Sequence, residues 1–177
     1  MMQKSAKVQD MQVGIAAAMG KLKEEIALNR DFFDEKEAAF LSMTWTWMNV
    51  EKAGRKFFAA YGLTDAQFNA LMILWDYRKV SLRQTQLADL LVVNRASAGG
   101  VVDRMEANGW VVRAADPADR RAWFVHLTDD GIGKLKSVKR DYYNLLTVAF
   151  ENVDQETLAV ILRFNEEFRT RLREMSA

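Results

Sequence analysis

Asp116-Pro117-Ala118-Asp119-Arg120-Arg121-Ala122-Trp123-Phe124-Val125-His126-Leu127-Thr128-Asp129-Asp130-Gly131 reads as a charged turn, a short strand and a capped helix start. Immediately upstream, the segment from Gln86 to Trp110 reads as helix, turn, helix and glycine stop. Asn94 is a good N-cap for a helix over about 95–108, which Gly109 ends. Trp110 to Arg113 and Ala122 to Leu127 then predict two strands, with the Asp-Pro pair in the turn between them. A helix-turn-helix followed by a basic β-hairpin is the layout of a winged helix. It lets one helix enter a major groove of DNA while the hairpin reaches an adjacent minor groove.

Outward from this centre the chain is helical. Thr64-Asp65-Ala66-Gln67 and Ser81-Leu82-Arg83-Gln84 are capping boxes that predict helices over about 65–77 and 82–91. Over 35–61, Phe40, Met43, Trp47, Val50, Gly54, Phe57 and Tyr61 form a heptad-like seam, and Leu41, Trp45 and Met48 a second stripe. Two stripes suit two packing partners, although the periodicity fits a plain core helix as well. Gly54 interrupts the seam and needs a reason, either close approach of another backbone or room for a small molecule. A further amphipathic helix is predicted over 12–33, with Ile15, Met19, Leu22, Ile26 and Phe33 on one face. Downstream, Thr128 caps a long helix over about 129–150, and Asp154 caps a last one bearing Leu158, Ile161, Phe168 and Leu172.

Composition narrows the class. The 177 residues are half hydrophobic, ample for a core, and one proline with nine glycines predicts long helices and little loop. No apolar run approaches a membrane span, and the patch from Val13 to Met19 is too short for a signal peptide. No cysteine is present, which removes disulfides and thiol redox sensing, and the single histidine, His126, leaves little for a metal. A cytoplasmic protein with no membrane partner and no cofactor is expected. The net charge of +1 is not the footprint of a non-specific nucleic-acid binder. Between residues 95 and 121, however, every cation is arginine: Arg95, Arg104, Arg113, Arg120 and Arg121. The planar guanidinium fork suits phosphates and guanine edges. There is no nucleophile elbow, phosphate loop or metal-ligand spacing, so an enzyme is not expected.

These stretches resemble the MarR family of bacterial transcription regulators. The specific signature, Asp-x-Arg followed by Leu-Thr-x-x-Gly, is carried by Asp119, Arg121, Leu127, Thr128 and Gly131. The resemblance spans residues from about 36 to 174 and leaves 1–33 outside the minimal family core. It implies a mostly α fold with a small β-wing, a winged helix-turn-helix flanked by long N- and C-terminal dimerisation helices. The expected division is 1–34 as an N-terminal helical extension, 35–62 as the first dimerisation helix, 63–128 as the DNA-binding lobe and 129–177 as the C-terminal dimerisation helices.

The expected DNA contacts follow. In the helix after Asn94, Arg95 can grip guanine or phosphate, Ser97 a base edge or phosphate, and Ala96 or Ala98 a thymine methyl. Gly99 and Gly100 stand where relatives carry larger residues, and would let the helix sit deeper in the groove. In the wing, the Asp119 carboxylate is expected to orient the Arg121 guanidinium into a narrow minor groove, with Arg120 on a phosphate. In isolation, Asp119 and Arg121 would read as a surface ion pair worth little. Arg113 is a phosphate contact or a brace for the wing, and Arg104 completes the basic set. The resemblance also implies a small aromatic effector, usually an anion, where the first helix meets the DNA-binding lobe. By helix position its wall would include Trp45, Met48 and Phe57, with Arg55 or Arg78 pairing the anion.

The resulting expectation is a homodimeric repressor that binds a pseudo-palindromic operator in double-stranded DNA and is released by a small aromatic carboxylate or thioester. The alternatives are a winged-helix activator or nucleoid-type binder without effector, and a helical interaction module whose wing no longer touches DNA.

Overall fold

The computed structural model describes residues 2–91, 95–119 and 121–176, with side chains from residue 9 onward except at 95–97. Two compact units, Met1–Phe68 and Asn69–Ala177, divide the chain.

In the first unit, α1 (Met2–Glu25) lies earlier than the 12–33 expected. The correction has a local cause. Ala27 adopts φ 51, and the amides of Ala27 and Leu28 turn back onto the carbonyls of Glu24 and Lys23. That is a left-handed helix stop built without glycine, so no breaker residue announces it. Asp34 then caps α2 (Glu35–Ala59), accepting from the amides of Lys36 and Glu37 at 2.9 and 2.8 Å. The Glu37 carboxylate accepts from Arg30 and from the Phe33 amide, and these bonds hold its pKa down at about 2. Gly62, at φ 64, ends this stretch. What approaches Gly54 is a side chain and not the backbone expected: an added Cβ would meet the Asp65 carboxylate at 3.0 Å. Burial raises the Asp65 pKa, and Glu51 adds to the effect. Phe58 stacks on Phe68 at 4.7 Å, and Leu22, Ala38 and Leu63 complete the buried set.

The helix α3 (Asp65–Asp76) opens on the predicted box: the Thr64 amide donates to Gln67 Oε1 at 2.9 Å and the Gln67 amide to Thr64 Oγ1 at 3.2 Å. It starts in the first unit and continues into the second. There follow β1 (Leu82–Arg83), α4 (Gln84–Leu91), α5 (Arg95–Ala107), β2 (Val111–Ala115) and β3 (Trp123–Leu127). The strands form an antiparallel sheet in the order β1-β3-β2. The strand β1 is a correction, because its residues were expected to open a helix. Leu82 is buried opposite Val125, so 82–83 belong to the sheet and the helix starts at Gln84. The capping bond shifts accordingly, with the Arg83 amide donating to Gln86 Oε1 at 2.8 Å. The expected cap Asn94 lies outside the described residues. Gly109, at φ 72, ends α5 as expected, and the Trp110 amide closes the turn on the Met105 carbonyl. The core of this unit is Leu71, Leu74, Leu87, Val101, Val102, Met105, Val125, Leu135 and Val138.

Two long helices finish the chain, α6 (Asp129–Ala149) and α7 (Gln155–Met175), capped by Thr128 and Asp154 as the sequence predicts. Thr128 accepts from the Gly131 amide and donates its hydroxyl to the Gly109 carbonyl at 2.6 Å. Gly131 is obligatory, since a Cβ there would sit 2.0 Å from the Trp110 carbonyl oxygen. Buried side chains are absent from α7, and Ile161, Leu162, Phe164 and Leu172 stand exposed on it. Among the described residues no helix is long and apolar enough to cross a membrane.

Candidate nucleic-acid interface

The wing is tied to the helix-turn-helix at two places. The first is at its turn. Asp116, at 4% exposure, accepts from the guanidinium of Arg83 at 2.8 Å (Nε) and 2.6 Å (Nη2), and from the Ala118 amide at 2.8 Å. The Ala118 amide and the Arg83 guanidinium hold the carboxyl below its ordinary pKa, against the opposing effect of burial. An aspartate bonded to the amide two residues on is a self-locking turn. The second tie is at the root. Arg113 donates to Glu106 and Asp103 of α5 at 2.5 Å each, and to Gln84 of α4 at 3.0 Å. Burial disfavours the Arg113 charge, but the two carboxylates more than offset it and raise the pKa. Of the two roles expected for Arg113, the geometry is that of a brace.

The Asp119–Arg121 pair is arranged differently from expectation. Asp119 accepts from the backbone amide of Arg121 at 3.0 Å, and its carbonyl accepts from the Ala122 amide at 2.9 Å. The acid therefore shapes the chain at the end of the wing turn. Among the described residues no carboxylate pairs with the guanidinium of Arg121 or with that of Arg104, and both side chains are exposed. Arg121 lines a cleft of about 130 Å³ with Arg83, Gln84 and Thr85, between the wing and the start of α4.

In α5 one expected contact is corrected. Ala98 has no exposed surface, so its methyl belongs to the core and cannot meet a thymine. Gly99 is half-buried and faces Gln84, whose Nε2 would lie 3.6 Å from an added Cβ. Gly100 has Arg104 Nη1 at 3.5 Å from the same position. The side chains of Arg95, Ala96 and Ser97 and all of Arg120 lie outside the described residues.

The residues expected around an effector divide between the two units. Trp45, Met48, Arg55 and Phe57 lie on α2 in the first unit, and Arg78 lies in the second. Met48 is 52% exposed, Phe57 packs edge-on against Phe58 at 5.0 Å, and Arg55 pairs with Glu51 at 3.7 Å. Arg78 stacks over Trp75 at 4.2 Å and donates to the Trp75 carbonyl at 2.7 Å. Sequence reasoning missed the Arg83–Asp116 tie. The Asp-Pro pair could have pointed to Asp116 as a turn residue, but nothing local marks a partner 33 positions away.

Comparison with known proteins fits this geometry. The family model for the MarR family matches residues 63–123. The HTH-type transcriptional repressor YetL of Bacillus subtilis is 27% identical over 117 residues, covering 66% of this chain and 70% of YetL. Sco3205, a MarR family transcriptional regulator from Streptomyces coelicolor solved in complex with DNA, is similar with a TM-score of 0.75 at 23% identity, over 80% of this chain and 93% of its own. BpsR of Bordetella bronchiseptica, whose DNA binding is regulated by 6-hydroxynicotinic acid, is similar with a TM-score of 0.64 at 20% identity, over 72% and 89%. At these identities the two structures establish the winged-helix fold. The stretch of this chain that is similar to the MarR family thus runs through residues 63–123, from the capping box to the wing.

Proposed function

We propose that the chain is a DNA-binding transcription regulator, a homodimeric repressor of the MarR type acting in the cytoplasm. Residues 63–128 contact DNA, while 35–62 and 129–177 pair with a second copy. The observation that carries this reading is the division of labour among the arginines of the lobe. Arg83 and Arg113 are spent on fixing the wing, whereas Arg104 and Arg121 stand exposed without a carboxylate partner among the described residues. A braced hairpin presenting an uncommitted guanidinium is suited to a minor groove, whose negative potential is strongest where it is narrow. Arg95, Ser97 and Gly99 at the start of α5 are the residues proposed for the major groove, and Arg120 for a phosphate.

Two further elements complete the proposal. The operator is a pseudo-palindrome whose half-sites lie one helical turn, roughly 34 Å, apart. An aromatic acid lowers DNA affinity, a reading supported by the regulation of BpsR by 6-hydroxynicotinic acid.

The test is fluorescence anisotropy with the chain's own promoter DNA across a salt series. Arg121→Ala should weaken binding by about 1–3 kcal/mol and flatten the salt dependence by about one counterion. Arg113→Ala should instead lower thermal stability by about 1–3 kcal/mol, because it breaks charged hydrogen bonds within the protein. Unchanged affinity in Arg121→Ala at physiological salt refutes the wing's role. The absence of salt-dependent binding in the parent protein refutes DNA recognition altogether.

A further inference from the structure

A groove of about 270 Å³ runs between α1 and α2 in the first unit. Ile15, Ala18, Met19 and Leu22 line it from α1, and Ala38 and Ala39 from α2. A dry cavity of roughly 150 Å³ already takes a benzene ring, so this groove has room for an aromatic side chain. The turn that joins the two helices presents one. Phe33 immediately precedes the Asp34 cap of α2 and is 89% exposed. A hydrophobic residue in that position usually packs on the fourth helical residue, here Ala38, and at this exposure the ring forgoes that contact. Its backbone is nevertheless fixed. The Phe33 amide donates to Glu37 Oε2 at 2.6 Å, and Arg30 donates to the same carboxylate through two nitrogens, at 3.0 and 2.6 Å. An aromatic ring on a braced turn loses little freedom when a partner covers it.

We infer that Phe33 of each copy seats in the α1–α2 groove of a second copy, so that the N-terminal extension is a reciprocal clamp between two chains. Ring and groove belong to one compact unit, and Glu35, which lines the groove, stands two residues from the ring. That arrangement suits a two-fold contact, in which one patch serves both subunits and each supplies what the other lacks. The neighbouring charges agree. Glu35 and Lys36 are both exposed, and neither has an ion-pair partner among the described residues. When a ring enters a groove, the Lys36 that accompanies it meets the Glu35 that lines the groove. Farther along α2, the exposed Phe40 and Trp47 continue the apolar surface on the helix already proposed to pair. The inference rests on the homodimer reading and deepens it, since it gives a task to residues that the MarR resemblance leaves outside its core.

Sedimentation of the full chain gives the dimer dissociation constant. Phe33→Ala trims an exposed ring and should raise that constant about tenfold or more. Ala39→Phe, also at an exposed position, fills the groove and should weaken pairing as well. The decisive measurement mixes the two variants and counts species by native mass spectrometry. The Phe33→Ala copy keeps an open groove and the Ala39→Phe copy keeps a ring, so only the mixed dimer retains one joint. It should exceed the half share that random pairing gives. Because the chain has no cysteine, Phe33→Cys and Ala39→Cys proteins can also be mixed and oxidised with diamide, and should yield a disulfide-linked pair. A dimeric parent whose constant is unmoved by Phe33→Ala overturns the clamp and leaves the homodimer reading standing. Random pairing of the two variants, or no mixed disulfide, does the same. A monomeric parent overturns both.

Discussion

At the scale of single residues, the family signature has a mechanical explanation. In Leu127-Thr128-x-x-Gly131 the threonine caps α6 and holds the Gly109 carbonyl, while the glycine leaves room for the Trp110 carbonyl. A methyl at Gly131 meets backbone, which cannot swing aside as a side-chain tip would. Gly131→Ala should therefore cost about 2–4 kcal/mol, read from urea unfolding. A loss below about 0.5 kcal/mol would show that the helix start can slide. Asp116 makes a pH-dependent prediction. Its folded pKa lies below the ordinary 3.8, so its stabilising effect is fully present above that value and is lost as pH falls through the lower, folded one. Asp116→Asn should be less stable than the parent at neutral pH, and the gap should narrow as pH drops below 3.8. A gap of constant size down to the acid limit would mean that the carboxylate charge plays no part in the latch.

At the scale of elements, what was legible in the sequence were features coded by neighbours. The Thr64–Gln67 box, the Gly109 stop and the Thr128 and Asp154 caps each rest on a bond between residues a few positions apart, and each is present. What was illegible depends on distant partners or on rarer backbone choices. The strand β1 exists because Leu82 finds Val125, 43 positions on, and no two-residue strand carries a period of its own. The end of α1 uses Ala27 where glycine would have been a signal. Within the candidate interface, the exposed wing arginine was foreseen from its motif, but the burial of Ala98 was not, because alanine fits either face of a helix. Helix α5 also supplies a prediction. A Cβ at Gly99 would make an ordinary contact with Gln84, so Gly99→Ala should raise thermal stability by up to about 1 kcal/mol. If the glycine serves close approach to DNA, the same variant binds operator more weakly. Tighter binding would show that it does not.

At the scale of the whole molecule, the end of the chain is unfinished as a monomer. A 21-residue helix whose best-covered side chains, Leu158 and Phe168, are only half-buried gains little from folding against its own chain, yet α7 carries Ile161, Phe164 and Leu172 exposed. The proposed homodimer covers them. The paired substitution Ile161→Glu with Leu172→Glu touches only exposed positions, so the monomer fold should change by no more than about 0.5 kcal/mol per site. Sedimentation at micromolar concentration should then show a dimer for the parent and a monomer for the variant, with operator affinity falling alongside. A parent that sediments as a monomer contradicts the assembly.

The contact between Gly131 and the Trp110 carbonyl has one more consequence, in leverage. It joins the root of the hairpin to the first turn of α6 with no clearance between them. A hairpin seated this way is expected to carry the helix with it when it tilts, as a blade turns its handle. With 21 residues at 1.5 Å each, α6 is an arm about 31 Å long. A tilt of about 5° at the joint carries its far end through about 3 Å, roughly the length of a hydrogen bond. Motions of the wing too small to resolve at the groove would thus be magnified at Ala149, and a label placed there would report them.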